Sequence, residues 1–421
     1  MIKPLRMHVI AAAEKQLRAG HPWLFADSIL EQNREGKAGE ITAIYDRQDR
    51  FLGLGLFDPY SPIRVRLLHI GPAQALDEDW WSARLERALK RRSPLIDPQT
   101  TGYRWIHGES DGWPGLVLDR YDSTLVLKLY TVSWLPRLKE LTSLIVERLA
   151  PDTLVLRLSR NISSFAQAQF KRNDGDILYG IVLEKPVVFL ESGLRFEANV
   201  LQGQKTGFFL DQRENRRQIQ EYAQGRDVLN AFSFSGAFSV YAARGGARSV
   251  TDLDISSHAL KSARRNFERN LSDRLVGSCH QNTVQSDAFE WLNGNPGKMF
   301  DLLVLDPPSL ARRQTERAGA LRAYYKLVQA ALKHIRHPGI LVACSCSAHV
   351  PADDFFTVVR QAASNSKQIF SVLQTTGHPL DHPATFKEAE YLKAIYLSLK
   401  KPNKPKVEDK HATRRSKGRN R

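Results

Sequence analysis

The chain of 421 residues carries 61 Lys/Arg against 45 Asp/Glu, a formal net charge of +16, with 42% hydrophobic and 25% charged residues. This length exceeds one ordinary core and implies two or three domains, and the composition is that of a soluble globular protein. No apolar run could span a bilayer and no signal-peptide segment opens the chain; the three cysteines (Cys279, Cys344, Cys346) form neither a disulfide framework nor a zinc-ligand spacing, which points to a reducing cytoplasm and no metal.

Residues 1–75 show strand-like pieces over 40–45, 51–56 and 63–68 and one short helix over 9–19, separated by Gly, Pro and Asp clusters. They predict a small, partly open β-barrel, with Gly53 and Gly55 marking a bend or close backbone approach within a strand. Over 76–190 the pattern predicts an α+β unit. A helix over 77–92 has acids in its first turn and Lys90, Arg91 and Arg92 in its last, as the helix dipole favours. Strands over 116–120 and 124–129, a helix over 135–149 and a strand over 153–158 follow. The polar connections over 159–176 and 312–322 read as solvated or substrate-facing loops. From about 191 to 400 strands and helices alternate in βαβ fashion, which predicts a parallel sheet of Rossmann type. The tail over 401–421 holds nine Lys/Arg and two Asp/Glu and reads as disordered; the remainder still carries +9, so the folded part itself favours a polyanion such as RNA.

Two motifs end strands of the last domain. Asp306-Pro307-Pro308 follows the apolar run 300–305, and Cys344-Ser345-Cys346-Ser347 follows 339–343. Ligands of open α/β sheets sit at that carboxyl edge. The turn after the first strand, Phe232-Ser233-Phe234-Ser235-Gly236, holds one glycine and lacks the G-x-G-x-x-G that lets backbone N–H groups meet a pyrophosphate. It suits a ligand without phosphate, S-adenosylmethionine (SAM). Gly236 would serve the methionine part, Asp254 the ribose diol and Asp287 the adenine, although acids at strand ends are also common helix caps.

A thiol beside a methyl donor has a chemical reason. Pyrimidine C5 is too weakly nucleophilic to take a methyl group unaided, and a thiolate adding to C6 makes it an enamine carbon. An acid at N3, the position suited to Asp306, stabilises the adduct. Cys346 lies beyond the strand between serines and is the expected nucleophile, whereas Cys344 ends the apolar run and is expected to pack. Methyl transfer to an exocyclic base nitrogen is the alternative for an Asp-Pro-Pro turn, disfavoured by Ser309-Leu310 where an aromatic residue would stack the base. A non-catalytic RNA-binding assembly factor is a second alternative.

The chain resembles the ribosomal RNA large subunit methyltransferase I family. The resemblance rests on His21-Pro22-Trp23-Leu24-Phe25, Gly108-Glu109-Ser110-Asp111-Gly112-Trp113-Pro114-Gly115-Leu116, Lys205-Thr206-Gly207-Phe208-Phe209-Leu210-Asp211-Gln212-Arg213, 230–236 and Ser345-Cys346-Ser347. It implies a multidomain α/β protein: an N-terminal PUA-like RNA-binding β-barrel (1–75), a central α+β domain (76–190) and a C-terminal class I SAM methyltransferase Rossmann-like domain (191–400). It further implies 5-methylcytosine formation in 23S rRNA or a large-subunit precursor. Cys346 would be the nucleophile and Asp306 would assist at the base. Lys205, Asp211, Gln212, Phe232, Gly236, Asp254 and Asp287, with Asp306, would surround the cofactor. The sequence is compatible with a homodimer formed through an edge strand or barrel face.

Overall fold

The computed structural model describes residues 4–366 and 368–400. The basic tail expected over 401–421 lies outside them.

The first sheet has six strands in the spatial order Trp23–Phe25, Ile63–Ile70, Phe51–Phe57, Ile41–Tyr45, Leu5–Val9, Ile29–Gln32. Its two end strands do not pair with each other, so the module is open. The strand glycines permit close approach: a Cβ on Gly53 would lie 2.3 Å from the His69 carbonyl oxygen, and one on Gly55 2.4 Å from Val65 Cγ1. The helix Glu78–Arg92 starts where its charge pattern predicts, capped by Asp77, which accepts from the Trp80 N–H at 2.9 Å.

A second sheet orders the strands Ile177–Gly180, Thr153–Leu158, Thr124–Leu129, Leu116–Tyr121, Gly102–His107. Its last strand was not expected from sequence. Arg104 interrupts the apolar pattern there, yet is buried because Asp119 on the neighbouring strand pairs with it at 2.6 and 2.8 Å. Two other expectations are corrected. The loop expected over 159–176 contains the helix Arg160–Phe170, which buries Ile162 and Ala166 one turn apart. The region expected as a helix over 135–149 is a 3-10 segment, Val132–Arg137, followed by the helix Leu138–Leu149.

After the hairpin Val187–Glu191/Leu194–Ala198, a seven-stranded sheet completes the chain. Its strands are β1 (Asp227–Ala231), β2 (Ser249–Asp254), β3 (His280–Gln285), β4 (Phe300–Leu305), β5 (Ile335–Ser345), β6 (Ile369–Thr376) and β7 (Lys393–Lys400). The spatial order is β3-β2-β1-β4-β5-β7-β6, with β7 antiparallel to both neighbours and the others parallel. Alternate residues feed two cores: Val228, Val304 and Val342 pack on one face, Leu229, Leu303 and Leu341 on the other. Burial on both faces is why these strands read as unbroken apolar runs. β3 was missed within the polar stretch before 287, because an edge strand with no fully buried residue leaves no apolar signature. The connection expected over 312–322 becomes helical at Arg317, in the helix Arg317–Leu332.

Candidate active site at the carboxyl edge of the sheet

Chain order reverses between β1 and β4, where successive connections leave on opposite faces and open a crevice at the carboxyl ends of the strands. Five adjacent strands bring the expected residues to this edge: Asp287 after β3, Asp254 ending β2, the 232–236 turn after β1, Asp306 after β4 and Cys346 after β5.

The turn after β1 is held in an unusual backbone. Phe232 and Phe234 have φ of +63° and +46°, and Gly236 has +73°. Non-glycine residues in this region carry strain that persists where the surroundings over-determine it. Here Asn266 donates to the Ser235 carbonyl at 2.9 Å, and Asp254 Oδ2 accepts the Phe234 N–H at 2.9 Å. A Cβ on Gly236 would sit 2.7 Å from Ala263 Cβ, so the turn closes only with glycine. Buried Ser233 Oγ and Asn230 Oδ1 have no hydrogen-bond partner among the described residues.

Asp254 Oδ1 accepts the Ser256 N–H at 2.9 Å, so each carboxylate oxygen holds one backbone donor and keeps a lone pair for a diol. Asp287 caps the helix Ala288–Gly294, and both N–H bonds, from Phe289 at 2.8 Å and Glu290 at 3.0 Å, go to Oδ1. The Phe232 and Phe289 rings meet edge-on at 6.0 Å. One glycine, two aromatic rings and two acids with spare acceptors fit a phosphate-free adenosine ligand such as SAM.

The other half of the cleft is strongly charged. Gln212 donates to Asp306 Oδ1 at 3.0 Å, and Lys205 Nζ bonds Asp211 Oδ2 at 3.1 Å. Cys346 Sγ lies 3.9 Å from the Pro307 carbonyl oxygen, and Ser347 Oγ donates to the Ala311 carbonyl at 2.9 Å, tying the thiol loop to the Asp-Pro-Pro loop. Burial and the charge of Asp211 push the Asp306 carboxyl up to about 7, against Lys205 and the Gln212 hydrogen bond. Burial and Asp306 push the Cys346 thiol up to about 11, against Lys205 and Lys393. Burial opposes ionisation of Asp211 too, but Lys205, His382 and Arg104 outweigh it and hold this carboxyl well below the usual carboxylate range. Cys344 is buried in the core, and burial raises its thiol further.

Several residues at the cleft were not singled out from sequence. Tyr391 donates to Asp211 Oδ2 at 2.9 Å, and buried Lys393 donates to the carbonyls of Ser347 and, at 3.0 Å, Tyr391. Arg104 and His107 come from the central sheet, while His378, Asp381 and His382 come from the segment between β6 and β7. One signal was available: Gly377-His378-Pro379-Leu380-Asp381-His382-Pro383 places two histidines around an acid between prolines.

Residues 103–397 match the S-adenosylmethionine-dependent methyltransferase family, and residues 7–69 match the PUA-like domain. A ribosomal RNA large subunit methyltransferase of Deinococcus radiodurans is 54% identical over 403 residues, covering 94% of this chain and 97% of that protein. A ribosomal RNA large subunit methyltransferase I of Shewanella frigidimarina is 34% identical over 406 residues, 93% of this chain and 98% of that one. Among solved structures, a protein of Streptococcus mutans described as a SAM-dependent methyltransferase superposes with a TM-score of 0.77 at 21% identity, covering 93% of this chain and 99% of its own. A methyltransferase structure complexed with SAH gives 0.78 at 22%, with the same coverage; both likenesses are of fold. With a PUA-like domain ahead of a SAM-dependent methyltransferase match over 103–397, the chain belongs to the S-adenosylmethionine-dependent methyltransferase family that includes these ribosomal RNA large subunit enzymes.

Proposed function

We propose that the protein methylates C5 of a cytosine in 23S rRNA or a large-subunit precursor, in the cytoplasm, through a covalent bond between Cys346 and C6. The observation that carries this reading is the joining of Cys346 to Asp306 through the Pro307 carbonyl and the Ser347–Ala311 hydrogen bond. A thiol and a carboxyl that retains its proton near neutrality thus share one cleft. An exocyclic-nitrogen methyltransferase has no use for the thiol.

Gly236, Asp254, Asp287 and Phe232 would hold the cofactor, with Gln212 at the junction of the cofactor and base sides; Lys205 and Asp211, which the resemblance puts beside the cofactor, would in this reading lie towards the base. When bound, SAM supplies an electrophilic methyl group and a positive charge. That charge favours the Cys346 thiolate, the anion that burial disfavours. The Cys346 thiolate donates its electron pair to C6, and the C5=C6 pair becomes available at C5. Asp306 donates its proton, or a hydrogen bond, to N3 and carries the charge that the ring acquires. After C5 is methylated its proton leaves to a base, that electron pair restores C5=C6, the Cys346 thiolate departs, and any proton given to N3 returns to Asp306. The base must be turned out of its stack to reach this edge, which suits a single-stranded or loop nucleotide bound by the PUA-like module and a basic surface.

Cys346→Ala is expected to abolish methylation, measured by methyl incorporation into rRNA, while SAM affinity measured by calorimetry stays within about threefold of the parent. Full turnover by this variant, with Cys344 present or also replaced, overturns the mechanism. Mapping 5-methylcytosine in rRNA from cells with and without the gene identifies the target. Loss of a methyl group from an exocyclic nitrogen instead would select the other enzymatic reading, and loss of none the assembly-factor reading.

A further inference from the structure

Asp211 is 4% exposed, and its two oxygens are used unequally. Oδ2 receives Lys205 Nζ at 3.1 Å and the Tyr391 hydroxyl at 2.9 Å. Oδ1 is buried with no hydrogen-bond partner among the described residues. An unmet buried carboxylate oxygen is costly and calls for a partner or a role.

Its surroundings say what that is. The next residue, Gln212, bonds Asp306. The charge of Asp211 acts on both Asp306 and Cys346, the two groups proposed to work on the pyrimidine ring. The Lys205 ammonium lies 4.7 Å from the centre of the Phe209 ring and 5.5 Å from that of Tyr391, so flat aromatic surfaces border the same space.

We infer that Asp211 Oδ1 accepts a hydrogen bond from the exocyclic amine of the target cytosine and thereby selects cytosine over uracil. This rests on the C5-methylation reading above and adds a residue for base choice. Cytosine presents an N4 amine donor beside an N3 acceptor. An ionised Asp211 and a protonated Asp306 present the complementary acceptor and donor. Uracil presents O4 as an acceptor beside an N3–H donor, so both contacts reverse at once. A site built to hydrogen-bond a substrate donor rejects an analogue lacking it far more strongly than an apolar pocket rejects a missing methylene. Lys205 and Tyr391 hold Oδ2 and so aim Oδ1; they are positioning residues.

The test uses RNA spanning the mapped target, with 5-fluorocytosine or 5-fluorouracil at that nucleotide, incubated with SAM and the full-length protein. Fluorine on C5 cannot leave as the proton does, so the protein–RNA adduct persists and is counted on a denaturing gel. The wild type is expected to trap fluorocytosine RNA at least about 100-fold faster than fluorouracil RNA. In Asp211→Asn, whose amide can turn its NH2 toward O4, that ratio is expected to fall by at least about tenfold. Tyr391→Phe removes a donor to Oδ2 but leaves Oδ1, and is expected to keep the ratio within about twofold even as its rate falls. If Asp211→Asn does not fold, Asp211→Ser carries the same expectation. A variant that slows both RNAs equally makes Asp211 a structural counter-ion of Lys205 and overturns the inference while the methylation reading stands. A wild type that traps neither RNA overturns the covalent reading and the inference with it.

Discussion

Burial favours the neutral forms of both Asp306 and Cys346 in the cleft. Each is partly buried and each anion is disfavoured by burial first; Asp211 raises the carboxyl further, and Asp306, once ionised, raises the thiol. In the proposed reaction a cationic cofactor near Cys346 would favour its thiolate, which is a physical reason for a resting enzyme to leave stray electrophiles alone. Stability carries the same signature. The folded protein holds the Asp306 proton up to about 7, whereas an ordinary carboxyl releases it near 3.8. Between these limits the native state binds more protons than the unfolded chain, so this residue's contribution declines as pH rises. His378, drawn down to about 4 mainly by burial, acts in the opposite sense, because the unfolded chain takes up its proton first. Comparison with Asp306→Asn separates the two effects. The variant is expected to gain on the wild type between about pH 4 and 7, by on the order of 2 kcal/mol after allowance for partial exposure, in paired urea denaturations.

At the scale of elements, the turn after β1 shows what one position demands. Its glycine sits at φ +73° against Ala263, so Gly236→Ala brings together backbone strain and a 2.7 Å contact. The expected loss is about 1–3 kcal/mol of stability, with SAM affinity falling at least about tenfold, measured by thermal unfolding and calorimetry. This turn was legible in the sequence, because a lone glycine after an apolar run has few other uses. β1, β4 and β5 were legible too, since burial on both faces writes an uninterrupted apolar run. β3 and Gly102–His107 were not. One is an exposed edge strand held by pairing with β2; the other hides Arg104 behind Asp119, a partner that sequence spacing does not reveal. The helix Arg160–Phe170 was missed because two buried residues in a polar segment form too thin an apolar stripe.

Across the whole molecule, Asp381 joins the central and catalytic sheets. Its carboxylate takes both terminal nitrogens of the fully buried Arg213, at 2.8 and 3.1 Å, and the Arg104 N–H at 3.1 Å, while its carbonyl accepts from Arg92 at 2.9 Å. Asp381→Ala would strip both terminal nitrogens of buried Arg213 of their carboxylate, leaving only its Nε bonded to Glu214 at 3.2 Å. It is expected to cost about 3–5 kcal/mol, seen as a large drop in the denaturation midpoint. The N-terminal module is tied in by Glu109, which accepts from Trp23 at 2.8 Å and Arg66 at 2.6 Å, and by Trp23 against Phe386 at 5.2 Å. Two of the family-bearing strings, 21–25 and 108–116, therefore meet at a junction, a use no turn signal announces.

The sequence by itself determined the SAM-binding class, the strand ends that bear Asp306 and Cys346, and the basic charge suited to RNA. Each is written in local runs and spacings that hold before the chain folds. Only the tertiary structure decided that Lys205 and Tyr391 meet on Asp211, that Lys393 reaches the Ser347 carbonyl, that His378 accepts from the Tyr391 and Leu392 N–H groups, and that Asp306 is raised where Asp211 is lowered. Those outcomes depend on burial and on charges brought together from separate elements of the chain, and neither has a local trace in the sequence.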